Sequence, residues 1–196
     1  MSLGGGSTVD VTVNTGGTQG ISFADYNAIG AMESGLDYSD LTAFGIFNGG
    51  GPGAVTTTIV YSNFQVAPAH ASGYLFVGAV NGASSPITVT SSVPGAVETW
   101  TQVGSTFDLD ASNSMPIGWN APSGTFTTDA PVGIDSDGII VEVGVLSQYS
   151  SITISLQQFL NDGIVFSIGE EINTSTGVEI FDDEGTTWGA IKGLYR

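Results

Sequence analysis

The chain has 196 residues, room for one domain with a sizeable core, and 41% of them are hydrophobic against only 11% charged, which excludes the composition of a disordered polymer. Its formal charge of −17 reflects two lone cations, Lys192 and Arg196, both at the C-terminal end, so no basic patch exists to displace counterions from nucleic acid or to hold an anionic membrane. The absence of cysteine removes disulfides, thiol catalysis and cysteine-based zinc sites.

In chain order, residues 1–7 read as a glycine-rich arm, either flexible or in contact with a partner, and residues 8–196 as a single β domain. The arm has neither the basic n-region nor the apolar h-region of a secretory leader, and no stretch approaches the ~18–20 apolar residues of a membrane span. Residues 8–14 (TVDVTVN) alternate as a strand, with Val9, Val11 and Val13 on one face. Such a strand can extend a neighbour's sheet or close the edge of its own. Residues 22–33 predict the only helix, a short one with Ser22 as N-cap, Asp25 at the capping-box position and Gly35 as its stop.

Strands follow at 41–47 and 55–66. The intervening NGGGPG loop is no phosphate cradle, because a β pattern follows it instead of a helix N-terminus. Residues 74–80, 87–93 and 97–103 predict a meander, turning first at Asn81-Gly82. Residues 107–132, irregular and rich in Asp, Ser, Asn, Pro and Gly, read as an excursion that caps the fold or as its functional loop. Residues 138–169 hold the densest apolar and β-branched content. They predict a second meander of three strands, with a bulge at Gln157-Gln158 before the Asn161-Asp162-Gly163 turn. A last hairpin is predicted over 177–181 and 187–191. Turns at this spacing indicate an all-β, two-sheet antiparallel sandwich of jelly-roll type.

Catalytic groups are scarce. His70 is the single histidine and lies near no nucleophile elbow. Glu98, Glu142, Glu170, Glu171 and Glu179 could include a glycosidase pair, but Asp and Glu are also the charges that keep this surface soluble, and no enzyme is expected. Three loop clusters carry the hard oxygen donors that calcium prefers: Asp108 with Asp110, Asp135 with Asp137, and Asp182 with Asp183. None completes an EF-hand, and Asx turns explain the same residues structurally. No cofactor is required; calcium is an optional ligand. Trp100 and Trp119 are either sugar-stacking platforms or core residues.

Asp183, Gly185, Thr187 and Trp188 resemble the D-x-G-x-T-W part of the Asp-box, a hairpin motif of sialidases and many secreted carbohydrate-active proteins. The match departs at the first position, where Phe181 replaces Ser or Thr, and it occurs once. The resemblance implies a structural hairpin turn, and nothing catalytic.

Two functions are expected. The first is a non-enzymatic structural subunit assembling with copies of itself or docking on a larger body, with a phage virion decoration or tail component as the nearest type by composition. In that reading Val9, Val11 and Val13 add to a neighbouring sheet, while Lys192 and Arg196 reach a neighbour's acidic surface. The alternative is an extracellular carbohydrate-binding module using Trp100 or Trp119, with or without calcium.

Overall fold

The computed structural model describes residues 2–4, 7–15, 20–22, 43–47, 55–67, 72–78, 80–82, 84, 86–103, 106, 115–132, 134, 136–158 and 163–170. Residues 23–42, where the helix was expected, lie outside them, as do the 48–53 loop, His70, the Asn161-Asp162 part of the expected turn and the hairpin expected from residue 177 onward.

The described chain is built of strands in two antiparallel sheets, with short 3-10 turns at Ala96–Thr99, Ala121–Ser123 and Leu146–Gln148. Its strands are β1 (Ser2–Gly4), β2 (Ser7–Thr15), β3 (Gly20–Ser22), β4 (Ala43–Phe47), β5 (Val55–Gln65), β6 (Gly73–Gly78) and β7 (Ile87–Ser91). They continue as β8 (Thr101–Gln102), β9 (Ile117–Asn120), β10 (Thr125–Thr128), β11 (Ile139–Gly144), β12 (Ser151–Gln158) and β13 (Gly163–Glu170). One sheet runs β1-β2-β5-β12-β7-β10-β9, the other β3-β4-β13-β6-β11-β8.

The two expected meanders are absent from this order. Successive strands β5, β6 and β7 fall in alternate sheets, as do β11, β12 and β13. Pairing is nested instead: β7 with β10, β6 with β11, β5 with β12 and β4 with β13. The chain is thus a long antiparallel hairpin rolled up so that each rung lands in the sheet opposite the one before. Period-two alternation in β2, β5, β7 and β12 turns one apolar face of the first sheet towards the interior, which the second sheet closes with β6 and β11, buried on both of their faces. Ile59, Ile87, Val89, Phe126, Ile152 and Ile154 from the first sheet join Leu75, Val77, Ile139, Val141, Phe166 and Ile168 from the second in one core.

The N-terminal residues are drawn into this frame. β1 pairs with β2, Leu3 is 6% exposed, and the fully buried Ser7 accepts a hydrogen bond from the Ala67 backbone N–H at 2.8 Å. β2 in turn pairs with the chain's own β5, turning Val9 into the core with Val11 and Val13 against it. These valines therefore serve the subunit's own interior, as an apolar face does when its strand lies beside another strand of the same sheet.

Three local departures from expectation have clear causes. Residues 97–103 form only a 3-10 turn, Ala96–Thr99, and the two-residue β8, because Pro94 and the left-handed Gly95 (φ 74°) redirect the chain. Residues 107–132 contain the β9–β10 hairpin, closed by a 3-10 turn over Ala121–Ser123 and the left-handed Gly124 (φ 62°). The bulge expected at Gln157-Gln158 is absent there, since β12 pairs with β5 in unbroken register to Gln158 opposite Val55. A register shift occurs instead in β11, between Glu142 and Gly144.

Candidate functional site: the Trp100 cleft

The hairpin β9–β10 and the turn before β8 bring both described tryptophans to one end of the core. Trp119 alternates with the buried Ile117 on β9 and lies over Phe126, its cross-strand partner, with ring centroids 4.6 Å apart. Its other neighbour is Trp100, stacked at 6.1 Å with the planes 22° apart. Tyr149 meets Trp100 edge-on at 6.0 Å. Trp100 is 3% exposed and Tyr149 4%, so stacking and burial commit both rings to the core.

Their polar atoms form a continuous thread. Trp119 Nε1 donates to the Trp100 carbonyl at 3.1 Å, Trp100 Nε1 donates to the Tyr149 hydroxyl at 2.9 Å, and that hydroxyl donates to the Val143 carbonyl at 2.6 Å. The thread starts on β9 in one sheet and ends on β11 in the other, tying the sheets together by hydrogen bonds where apolar packing alone would let them slide. Burial pushes the pKa of the Tyr149 hydroxyl up, opposed by the hydrogen bonds from Trp100 and Gln148.

Against this cluster opens a cleft of about 500 Å3. Val93, Ala96 and Val143 give it apolar wall, while Thr99, Thr101, Glu142 and Gln148 supply polar groups. Glu142 stands on β11 opposite Tyr74 of β6, and its carboxylate accepts a hydrogen bond from the Ser72 hydroxyl at 2.8 Å. Ser72 is the one hydrogen-bond partner of that carboxylate among the described residues. A shallower hollow of about 250 Å3, lined by Val97, Glu98, Pro122 and Ser123, lies across the Val93–Gly95 strap from it.

The sequence-derived sites are placed unevenly. Trp100 and Trp119 come together, but as stacked partners in the core; with Trp100 closed off, its faces offer a sugar no platform. Asp137 is 5% exposed, its carboxylate accepts from the Thr106 hydroxyl at 3.1 Å, and its backbone N–H donates to the Met115 carbonyl at 2.8 Å. Asp108, Asp110, Asp135, Asp182, Asp183, Lys192 and Arg196 lie outside the described residues. Among the described residues, no three acidic or histidine side chains group to hold a metal ion. Of the site residues, Glu142 was among the carboxylates the sequence offered, whereas sequence reasoning passed over Tyr149. Its only sequence signal was position, in the short segment that joins β11 to β12.

Compared with protein-family models, curated proteins and solved structures, the chain matches none.

Proposed function

We propose that the chain is a non-enzymatic structural subunit that assembles with copies of itself, of the kind found as a virion decoration or tail component, on a jelly-roll frame. The outer face of the seven-stranded sheet carries this reading. Register aligns Asn120, Thr125, Thr88, Ser155, Thr58 and Asn14 in one row across six strands. A second row runs Thr90, Thr153, Val60 and Thr12. At ~4.8 Å between strands, the first row spans about 24 Å.

On this face Asp10 of β2 is the only charged side chain among the described residues, although the whole chain carries −17. Two copies can therefore meet here without bringing like charges together, and hydroxyl and amide groups can hydrogen-bond across the contact. The nested rungs hold the face in register from behind.

The test is particle mass by light scattering, with negative-stain microscopy, on the wild type and on Thr88→Glu/Ser155→Glu. The wild type should form a discrete oligomer or filament, and the variant should remain a folded monomer by circular dichroism. A wild type that stays monomeric at every concentration refutes the proposal, as does a variant that assembles like the wild type.

A further inference from the structure

We infer that the cleft beside Trp100 and Tyr149 is the docking site for the chain's own cationic C-terminal segment, Lys192 to Arg196, with Glu142 as the receiving carboxylate. This goes beyond the assembly reading and is independent of it. The first argument is charge. Among the described residues there is no Lys, Arg or His, so no side-chain ion pair forms within that set. Lys192 and Arg196 are the only Lys and Arg in the chain. Glu142 is half-buried and faces a cleft large enough for a long side chain, with apolar wall for its methylene stem and oxygen atoms for its head.

The second argument is where the described chain stops. β13 ends at Glu170, which pairs with Gly73 of β6, and Gly73 in turn pairs with Gly144 of β11, a residue lining the cleft. The last described residue thus lies two strand spacings, about 10 Å, from the cleft. At about 3.3 Å per residue the chain from Glu170 to Lys192 spans up to roughly 70 Å, so reach is no obstacle. Connection within one chain also holds at any protein concentration, whereas a second copy's tail reaches the cleft only through assembly. That favours the chain's own tail over a neighbour's.

The cysteine-free chain permits a direct test by disulfide trapping. Gln148, exposed at the cleft, is changed to Cys together with Gly193→Cys in the full-length protein, and the control pair combines Gly193→Cys with Val132→Cys, 55% exposed in the turn after β10. Under mild oxidation the Gln148→Cys pair should close within one chain in preference to the control. Adding Glu142→Gln should lower its yield ~2- to 5-fold, the range of a partly exposed ion pair. Lys192→Gln with Arg196→Gln, which alters no described residue, should lower it equally and guards against misfolding of the Glu142 variant. Equal trapping by both pairs, a yield indifferent to these substitutions, or covalent dimers in place of monomers would overturn the inference. Because trapping within a chain needs no oligomer, a monomeric wild type would sink the assembly proposal and leave this one standing.

Discussion

Replacing Tyr149 by Phe removes one oxygen atom from the middle of the thread that joins the two sheets. Ring packing against Trp100 is kept, so little apolar burial is lost. What changes is that the Trp100 indole N–H loses its acceptor and the Val143 carbonyl loses a donor, both in the buried core. An unsatisfied buried group costs about 1–3 kcal/mol. With two such groups beside a cleft that lets water reach one end, the expected loss is about 2–4 kcal/mol. Equilibrium urea unfolding, followed by tryptophan fluorescence and far-UV circular dichroism, measures it. For a urea slope near ~2 kcal/mol/M the midpoint should fall by ~1–2 M with the slope unchanged. A Trp100→Phe background, already without the indole donor, should make the Tyr149 substitution less costly by at least ~0.5 kcal/mol. A midpoint shift under about 0.3 M, or strict additivity of the two changes, would show that the thread carries no stability of its own.

Other expectations rest on single contacts. Gly124 is left-handed, and a Cβ there would sit 2.6 Å from the Val89 carbonyl oxygen. Gly124→Ala should therefore cost about 2–4 kcal/mol and lower Tm by roughly 5–15 °C in a scanning-calorimetry comparison. Burial holds the Tyr61 hydroxyl well above its usual pKa. The folded state thus keeps its proton after the unfolded chain has lost it, and stability falls as pH rises beyond about 10, at up to ~1.4 kcal/mol per pH unit from this group. Urea titrations at about pH 9, 10 and 11 should show that decline flattened in Tyr61→Phe; an unchanged slope would place the proton loss elsewhere. Asp137→Asn weakens the bond from Thr106 by about 1 kcal/mol. Its Tm decrement should be the same in calcium and in chelator, and a decrement seen only with calcium would make Asp137 a metal ligand.

How far sequence alone carries depends on whether a signal is local. Alternation located β2, β5, β7, β11, β12 and β13 to within a residue or two, because an apolar face facing one core is written into each strand separately. The sheet to which a strand belongs is not local information. Val141 and Ile152 are both buried on successive strands, yet they come from opposite sheets, and nothing in their spacing distinguishes a meander from a rolled hairpin. The β9–β10 hairpin was obscured by Pro122, Ser123 and Gly124, although Ile117/Trp119 and Phe126/Thr128 alternate around that turn. Trp100 shows the limit on the site: a tryptophan beside a Glu reads equally as platform or core until Trp119 and Tyr149 are seen on either side of it.

The nested rungs also set an order of events in folding. Joining β7 to β10 encloses the shortest stretch of chain, with Thr88 opposite Thr125, whereas β4 and β13 bring together Phe47 and Gly163. Loop closure costs more for a longer loop, but once an inner rung has formed, the next has only its short connections left to close. The fold therefore zips outward from the tryptophan end, and its rate should answer to substitutions at Phe126 before those at Phe166. On the ribosome the same geometry delays every rung until residues near 125 have emerged. Until then β5 to β7 present apolar faces whose rung partners have yet to be made. In β5 and β7 the Thr and Ser residues that alternate with those faces keep the waiting strands from offering apolar surface on both sides, a protection that β6, with Leu75, Phe76 and Val77 all buried, lacks.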